Sequence, residues 1–247
     1  VIGWALRIIC VFAAAVVAAM FMIPLSVLAE RARQDVPALD WTQVQGSVWS
    51  GRISNVSYGP QLVGDVEVKL RPSALLSGNL VYSVSVVGPV ATGESDIYLN
   101  SGSAGIRNSD FTVRIDQLVG LNASVRQAGG TMRMTNVALE VDRDMNCVEA
   151  SGALWTDALE NLGMEFGENL PQLEGAPVCS GSMVSVALDG QSQTGVGVEI
   201  KTTVGLAQAS SLNARIAGAG IELAQALTAL GFTASGDEYV YVRELVP

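Results

Sequence analysis

The side chains able to do chemistry are few, and their spacing narrows what they can do. The chain has no histidine, which removes His-based nucleophile triads, His-ligated zinc and a proton shuttle working near neutral pH. Cys147 and Cys179 are the two cysteines outside the apolar N-terminal run, which holds the third, Cys10. With no C-x-x-C and no imidazole partner, the pair reads either as one disulfide or as two buried free thiols. The bridge is the expectation taken forward, and it implies an oxidising compartment. Closing the loop between them stabilises a fold by roughly 3–4 kcal/mol in the chain-entropy model. Asp142, Asp144 and Asn146 spell D-x-D-x-N, the opening of a calcium loop. However, Cys147 stands where that loop needs Gly, and Ala153 where it needs a bidentate Glu. Gly218-Ala219-Gly220 opens a helix after a strand, but the third small position of a dinucleotide fingerprint is Leu223, and no βαβ pattern surrounds it. Glu165, Glu168 and Glu174 are carboxylates of the kind used on glycosides, placed on a Gly/Pro-rich connector where such groups solvate a loop. No catalytic residue, metal ligand or cofactor site is expected.

The elements that would position such groups begin at the N-terminus. Val1 to Leu28 is almost wholly apolar, with Arg7 its only charge. About 20 apolar residues, rising about 1.5 Å each as helix, match a hydrocarbon core of about 30 Å. A lone segment crosses lipid only as a helix, which satisfies its own backbone. Residues 1–29 are read as an uncleaved transmembrane anchor in contact with membrane lipid. The alternative is a secretory leader cleaved at Val27-Leu28-Ala29, but the run exceeds the roughly 7–15 residues of a leader's apolar core. Pro24 is expected to kink or end the helix near its far end. Arg7 on one side and Arg31 and Arg33 on the other leave the positive-inside rule nearly silent. Orientation follows from the expected disulfide, which puts the bulk of the chain outside the cytoplasm.

Residues 30–42 form a polar, Pro-containing stalk, with Trp41 either an interfacial anchor or the first core residue. The formal net charge of −10 argues against nucleic acid as a partner, since phosphates need Lys and Arg. Anionic headgroups would repel an acidic domain, so it is not expected to lie flat on the bilayer.

The rest alternates with period two. Asp65, Glu67 and Lys69 alternate with Val66, Val68 and Leu70, a half-buried strand. Further strands are expected at 80–87, 95–100, 110–116, 121–125, 131–141, 147–155, 183–188, 196–204, 212–217 and 238–242. A one-turn connection is expected at 73–76. Two helices are expected, at 156–162 with Thr156 as N-cap and Gly163 as stop, and at 220–230. The fold class is mainly β, a largely antiparallel, curved sheet with a few short helices. Gly46-Ser47-Val48-Trp49 recurs as Gly152-Ala153-Leu154-Trp155, and Leu76-Ser77-Gly78-Asn79-Leu80 as Cys179-Ser180-Gly181-Ser182-Met183. That echo divides the domain into two related β units, 43–145 and 146–247. Trp49 and Trp155 are expected to pack in the core, over glycine gaps in facing strands.

The segment Gly46-Ser47-Val48-Trp49-Ser50-Gly51-Arg52 resembles a family, protein N of the bacterial type II secretion system. The order of later features is similar: Leu70-Arg71-Pro72-Ser73-Ala74-Leu75-Leu76-Ser77-Gly78, then Cys147 with Gly152 and Trp155, then Cys179 with Gly181. The resemblance implies a non-enzymatic accessory component of the secretion machine. Its helix would cross the inner membrane, with the N-terminus cytoplasmic and the bulk periplasmic. It would contact other secretion subunits through protein surfaces, with self-association through sheet edges as a further option. A weaker likeness, to AsmA-type envelope proteins, implies instead a curved apolar groove that binds or conveys lipid. A continuous apolar concave face favours lipid, and a polar one favours protein contacts.

Overall fold

The computed structural model describes residues 23–121, 123–165, 167–205 and 210–245. Up to Met22, the run expected to cross the bilayer lies outside them. Among the described residues no helix is long and apolar enough to cross a membrane. At the far end of that run Pro24 is extended, with φ −72° and ψ 145°, and helix α1 (Leu25–Asp35) starts behind it, so residues 25–29 belong to this helix. Proline lacks an N–H and crowds the preceding turn, so a helix starts at it more readily than it passes through. Helix α1 thus fuses the end of the expected anchor with the start of the expected stalk, and buries Leu25 and Ala29, one turn apart.

Alternating residues then build one 15-stranded sheet. Its strands are β1 (Leu39–Asp40), β2 (Gln43–Ser47), β3 (Ser50–Tyr58), β4 (Gln61–Leu70), β5 (Leu80–Val87), β6 (Ala91–Leu99), β7 (Ser103–Arg114) and β8 (Thr131–Asp142). They continue as β9 (Cys147–Thr156), β10 (Leu173–Ser180), β11 (Met183–Gln191), β12 (Gly197–Gly205), β13 (Ser210–Ala217), β14 (Thr233–Ser235) and β15 (Glu238–Leu245). From β3 to β13 each strand pairs antiparallel with the next in the chain. At one end β1 and β2 share the outer side of β3; at the other, β15 follows β13 and β14 follows β15. The two end strands do not meet, so the sheet is open.

Period two sorts the side chains onto two faces. Val44, Ile53, Val66, Val86, Gly93, Phe111, Met134, Leu154, Gly175, Leu188, Ile200, Ala214 and Tyr241 stand opposite one another in unbroken register from β2 to β15. The neighbouring rows on the other face read Arg52, Glu67, Ser85, Glu94, Asp110 in the first half and Arg133, Trp155, Glu174, Asp189, Glu199, Arg215 in the second. All described strands belong to this sheet, yet the apolar row is half-buried while Glu67, Glu94, Asp110, Glu174 and Asp189 are exposed. One layer can shelter one of its faces only by bending toward it. The apolar face is therefore the inner, concave one.

The turns alternate between two ends. At the base lie the long connections: a 3₁₀ turn (Ile115–Gln117), α3 (Ala123–Ala128), α4 (Ala158–Glu165) and α5 (Ile221–Ala229). They carry the main buried cluster, in which Leu223 and Leu227 of α5 pack on Leu173, Val198 and Ile216 of the sheet, with Leu170 and Val196. At the opposite end, the rim, the connections are short: the β2–β3 turn, α2 (Pro72–Leu75) with its loop, and the tight β6–β7, β8–β9 and β10–β11 turns.

Two local devices shape the sheet. Asn55, Asn108 and Asn136 adopt positive φ, near 50°, where the β3–β4 and β7–β8 registers, and then the β8–β9 register, slip by bulges. Asparagine tolerates that conformation better than other residues with a side chain, and each bulge bends its strand. The second device is a seam. Strands β9 and β10 pair only at Leu173–Gly175 with Leu154–Thr156, and Pro177, which has no N–H, lies in the unpaired part of β10. Its register with β11 is unbroken. Across the unpaired part the expected bridge, Cys147–Cys179, joins the two strands, and the Cys147 N–H donates to the Gly181 carbonyl at 3.2 Å.

Several sequence expectations change. Of the strand expected at 121–125, residues 123–125 belong instead to α3, and Leu121 and Val125, four apart, suit a helix as well as a sheet. Strand β10 escaped notice because Gly175 and Pro177 disguise it. Helix α4 starts at Ala158, not Asp157, and continues through Gly163 to Glu165. Thr156 accepts the Ala158 N–H through its hydroxyl at 3.2 Å. The echoed segments occupy different settings: Gly46–Trp49 ends β2 and turns, whereas Gly152–Trp155 lies within β9. The boundary drawn at 145/146 falls in the β8–β9 turn of one continuous sheet.

Candidate interaction surfaces

The outer face carries the best-ordered polar groups. Asp96 of β6 receives the Arg71 guanidinium at 2.7 Å, the Ser83 hydroxyl at 2.9 Å and the Asn108 amide at 3.0 Å. Asp65 accepts the Asn55 N–H at 2.9 Å and Arg52 at 2.6 Å, and these two hold its carboxyl below the usual carboxylate range. Asp110 accepts the Asn136 N–H at 3.0 Å. An aspartate on an adjacent strand thus bonds each bulge asparagine. At the rim side, Ser103 at 2.5 Å and Arg107 at 2.8 Å converge on Glu140 and lower its pKa. Arg107 lies 4.1 Å from the Tyr98 ring centroid. Burial first, and then Glu140, pushes the Tyr98 phenol up to about 12. Each carboxylate is consumed by a neighbour, which is structural work.

In the second half the outer row is of another kind. Glu174, Asp189 and Glu199 stand directly opposite one another on β10, β11 and β12, an arrangement that destabilises a sheet. Residues 1–143 hold 11 Lys and Arg against 11 Asp and Glu, while residues 144–247 hold 3 against 13. The whole net charge sits in the second half. A running charge count along the chain, and not the bulk value, would have found this.

The inner face offers the apolar row, and the edges offer backbone. At the first edge β1 and β2 flank β3, Pro24 bridges to Ser47, and α1 packs beside β2. A Cβ added at Gly51 would come within 2.6 Å of the Leu25 Cδ2, so this glycine admits the helix onto the inner face. The far edge is open: β14 covers β15 only from Glu238 to Val240. Beyond it, Tyr241 to Leu245 pair with β13 on one side alone, and Val242 is 64% exposed.

The residues singled out in the sequence disperse along the rim and the outer face. Gly46 ends β2, Pro72 starts α2, and Gly78 follows it in the loop to β5. Gly181, with φ 63°, takes the first place of the two-residue β10–β11 turn, where positive φ is required. Gly152 sits against Val137 at the β8–β9 bulge. Trp49 lies in the β2–β3 turn, half-buried, its carbonyl accepting the Leu70 N–H at 2.9 Å. Trp155 corrects the core expectation. It lies on the polar outer face, with the Arg133 guanidinium 5.3 Å from its ring centroid and its indole N–H donated to Gln172 at 3.2 Å. Alternation had placed it there: Leu154 beside it is the inward residue. Asp142 binds Asn146 and the Asp144 N–H inside one turn, which is the ordinary use of a D-x-D-x-N sequence. Among the described residues no group of three His, Cys, Asp or Glu is placed to hold a metal ion.

Comparison with curated proteins and with solved structures returns no match. A family model, described as type II secretion system (T2SS), protein N, matches residues 37–243. That stretch runs from just behind α1 into the edge strand β15, so it takes in the sheet from β1 onward except the last two residues of β15. On this match, the chain belongs to the type II secretion system protein N family.

Proposed function

We propose that this secretion-system component is non-enzymatic, anchored in the bacterial inner membrane by its apolar N-terminal run, and active in the periplasm by binding other subunits. The observation that carries the reading is the far edge, where among the described residues Tyr241–Leu245 pair on one side alone and lie open for strand addition, whereas α1 packs beside β1 and β2 at the other end. The disulfide supports the compartment. Deleting the gene is expected to leave exported folded proteins in the periplasm and deplete them from the medium. A photoreactive side chain at Val242 is expected to cross-link to another subunit of the machine. Normal secretion in the deletion strain sinks the reading.

The apolar row favours a second reading, lipid held or conveyed along the inner face. The polar residues Asp65, Glu67 and Lys69 stand on the other, convex side of the sheet. Unchanged secretion with a permeable outer membrane in the deletion strain, and phospholipid co-purifying with the full chain, would move this reading to first.

A further inference from the structure

We propose that the rim of the sheet docks on the surface of the bilayer that residues 1–22 enter. The domain then stands upright, with the open end of its groove on the membrane and its helical base pointing away. The proposal rests on the anchoring reading above and adds to it a posture and a set of contacting residues.

The first observation is where the described chain begins. Ile23 accepts the Val48 N–H at 3.0 Å, and Pro24 bridges to Ser47. The chain leaving the apolar run is therefore fastened to the β2–β3 turn with no spacer between. Trp49 of that turn accepts the Leu70 N–H at 2.9 Å, and the α2 loop follows directly. The rim cannot move far from the place where the apolar run ends.

The second observation is what this rim exposes. Leu76, at the tip of the α2 loop, is 93% exposed, with Leu75 at 40%, Ile23 at 42% and Met145 of the β8–β9 turn at 43%. Leucines on turn tips, beside the exit of an apolar segment, fit the boundary between headgroups and acyl chains. The base also exposes apolar side chains, notably Ile221 and Met164. Its connections at 157–172 and 218–237, however, carry Asp157, Glu160, Glu165, Glu168, Glu222 and Asp237 without a Lys or Arg, and the connection at 115–130 adds Asp116 and one cation, Arg126. Anionic headgroups repel such a surface. The upright posture also keeps the acidic outer row of Glu174, Asp189 and Glu199 off the bilayer.

The test uses the full chain on a Cys10→Ser background, with a polarity-sensitive fluorophore on Leu76→Cys, in phosphatidylethanolamine and phosphatidylglycerol vesicles with and without brominated acyl chains. The label is expected to lose roughly half or more of its emission to the bromine, at the depth of interfacial side chains. The same label on Gln193→Cys, at the base, is expected to change little. Met145→Cys serves as a second rim position and is expected to follow Leu76. Rim labels as unresponsive as the base label, in a chain that resists alkaline extraction, overturn the docking alone. A chain that alkali extracts overturns the anchoring and the docking with it.

Discussion

The two halves of the sheet hold their shape by different means. Between β3 and β9 four ladders slip, at or beside three bulged asparagines, and aspartates on neighbouring strands bond each one. From β10 to β15 the registers run without a slip, and the shape is set by α5 packed on Leu173, Val198 and Ile216. The first half is balanced in charge and ties its carboxylates down; the second carries the net charge and aligns like charges across strands. Bending by bulges needs local polar partners and little core. A regular sheet needs something apolar to lean on, and can leave its outer face electrostatically unsatisfied.

The largest test of this contrast is Leu173→Ala. Leu173 is 1% exposed in the base cluster, so the change is expected to cost about 2–5 kcal/mol and to loosen β10–β15 before β3–β8. Hydrogen exchange resolved by segment would show it, and equal loosening of both halves would break the distinction. Next comes the seam. With three paired positions between β9 and β10, reducing Cys147–Cys179 is expected to cost roughly 2–4 kcal/mol. In the same exchange measurement, protection should fall first at residues 147–153 and 176–180.

Asn136→Ala probes the bulges. A residue with an ordinary side chain at φ 49° is expected to lose about 1–2 kcal/mol, whereas Asn136→Gly should restore most of it. Both are read as shifts in urea midpoint. Acid sharpens the same point. Asp65, Asp116, Glu140 and Asp142, all in the first half, have lowered pKa values in the folded chain. Their contribution is complete above the unfolded values of 3.8 and 4.5 and disappears as pH falls from there toward the folded values. Exchange between pH 5 and pH 2 is therefore expected to open β3–β8 selectively. The smallest effect is expected from Asp189→Lys, which breaks the row of like charges. It should stabilise the chain by roughly 0.2–1 kcal/mol, measured as a rise in Tm, and a fall would mean that row is not strained.

The sheet's existence and most of its strands were legible because alternation is a direct image of a half-buried pleat. Asp65 to Leu70 and Leu80 to Val87 needed no tertiary knowledge. Strand β10 was hidden because Pro177 serves a seam, and a seam is a relation between strands, invisible in one of them. The asparagine bulges were hidden for the same reason: Ser54-Asn55-Val56, Arg107-Asn108-Ser109 and Thr135-Asn136-Val137 look like strand until their partners show the slip. Pro24 was legible as a breaker, but the helix that starts behind it was not, since a proline ends one helix and starts another equally well. The disulfide followed from counting cysteines. The inner groove and the open edge could not, because both depend on which strands end the sheet.

Nearly every strand pairs with the one made just before it, and the bridging cysteines are only 32 residues apart. Each newly delivered segment finds its partner already in place, so loop closure costs little at any step. A chain handed across a membrane from its N-terminus could zip up strand by strand as it emerges, with no need to wait for its last residues. The exception is β15, the final strand, which reaches β13 only after α5 and β14 have gone by. Among the described strands, the edge at Tyr241–Leu245 is thus also the last to form.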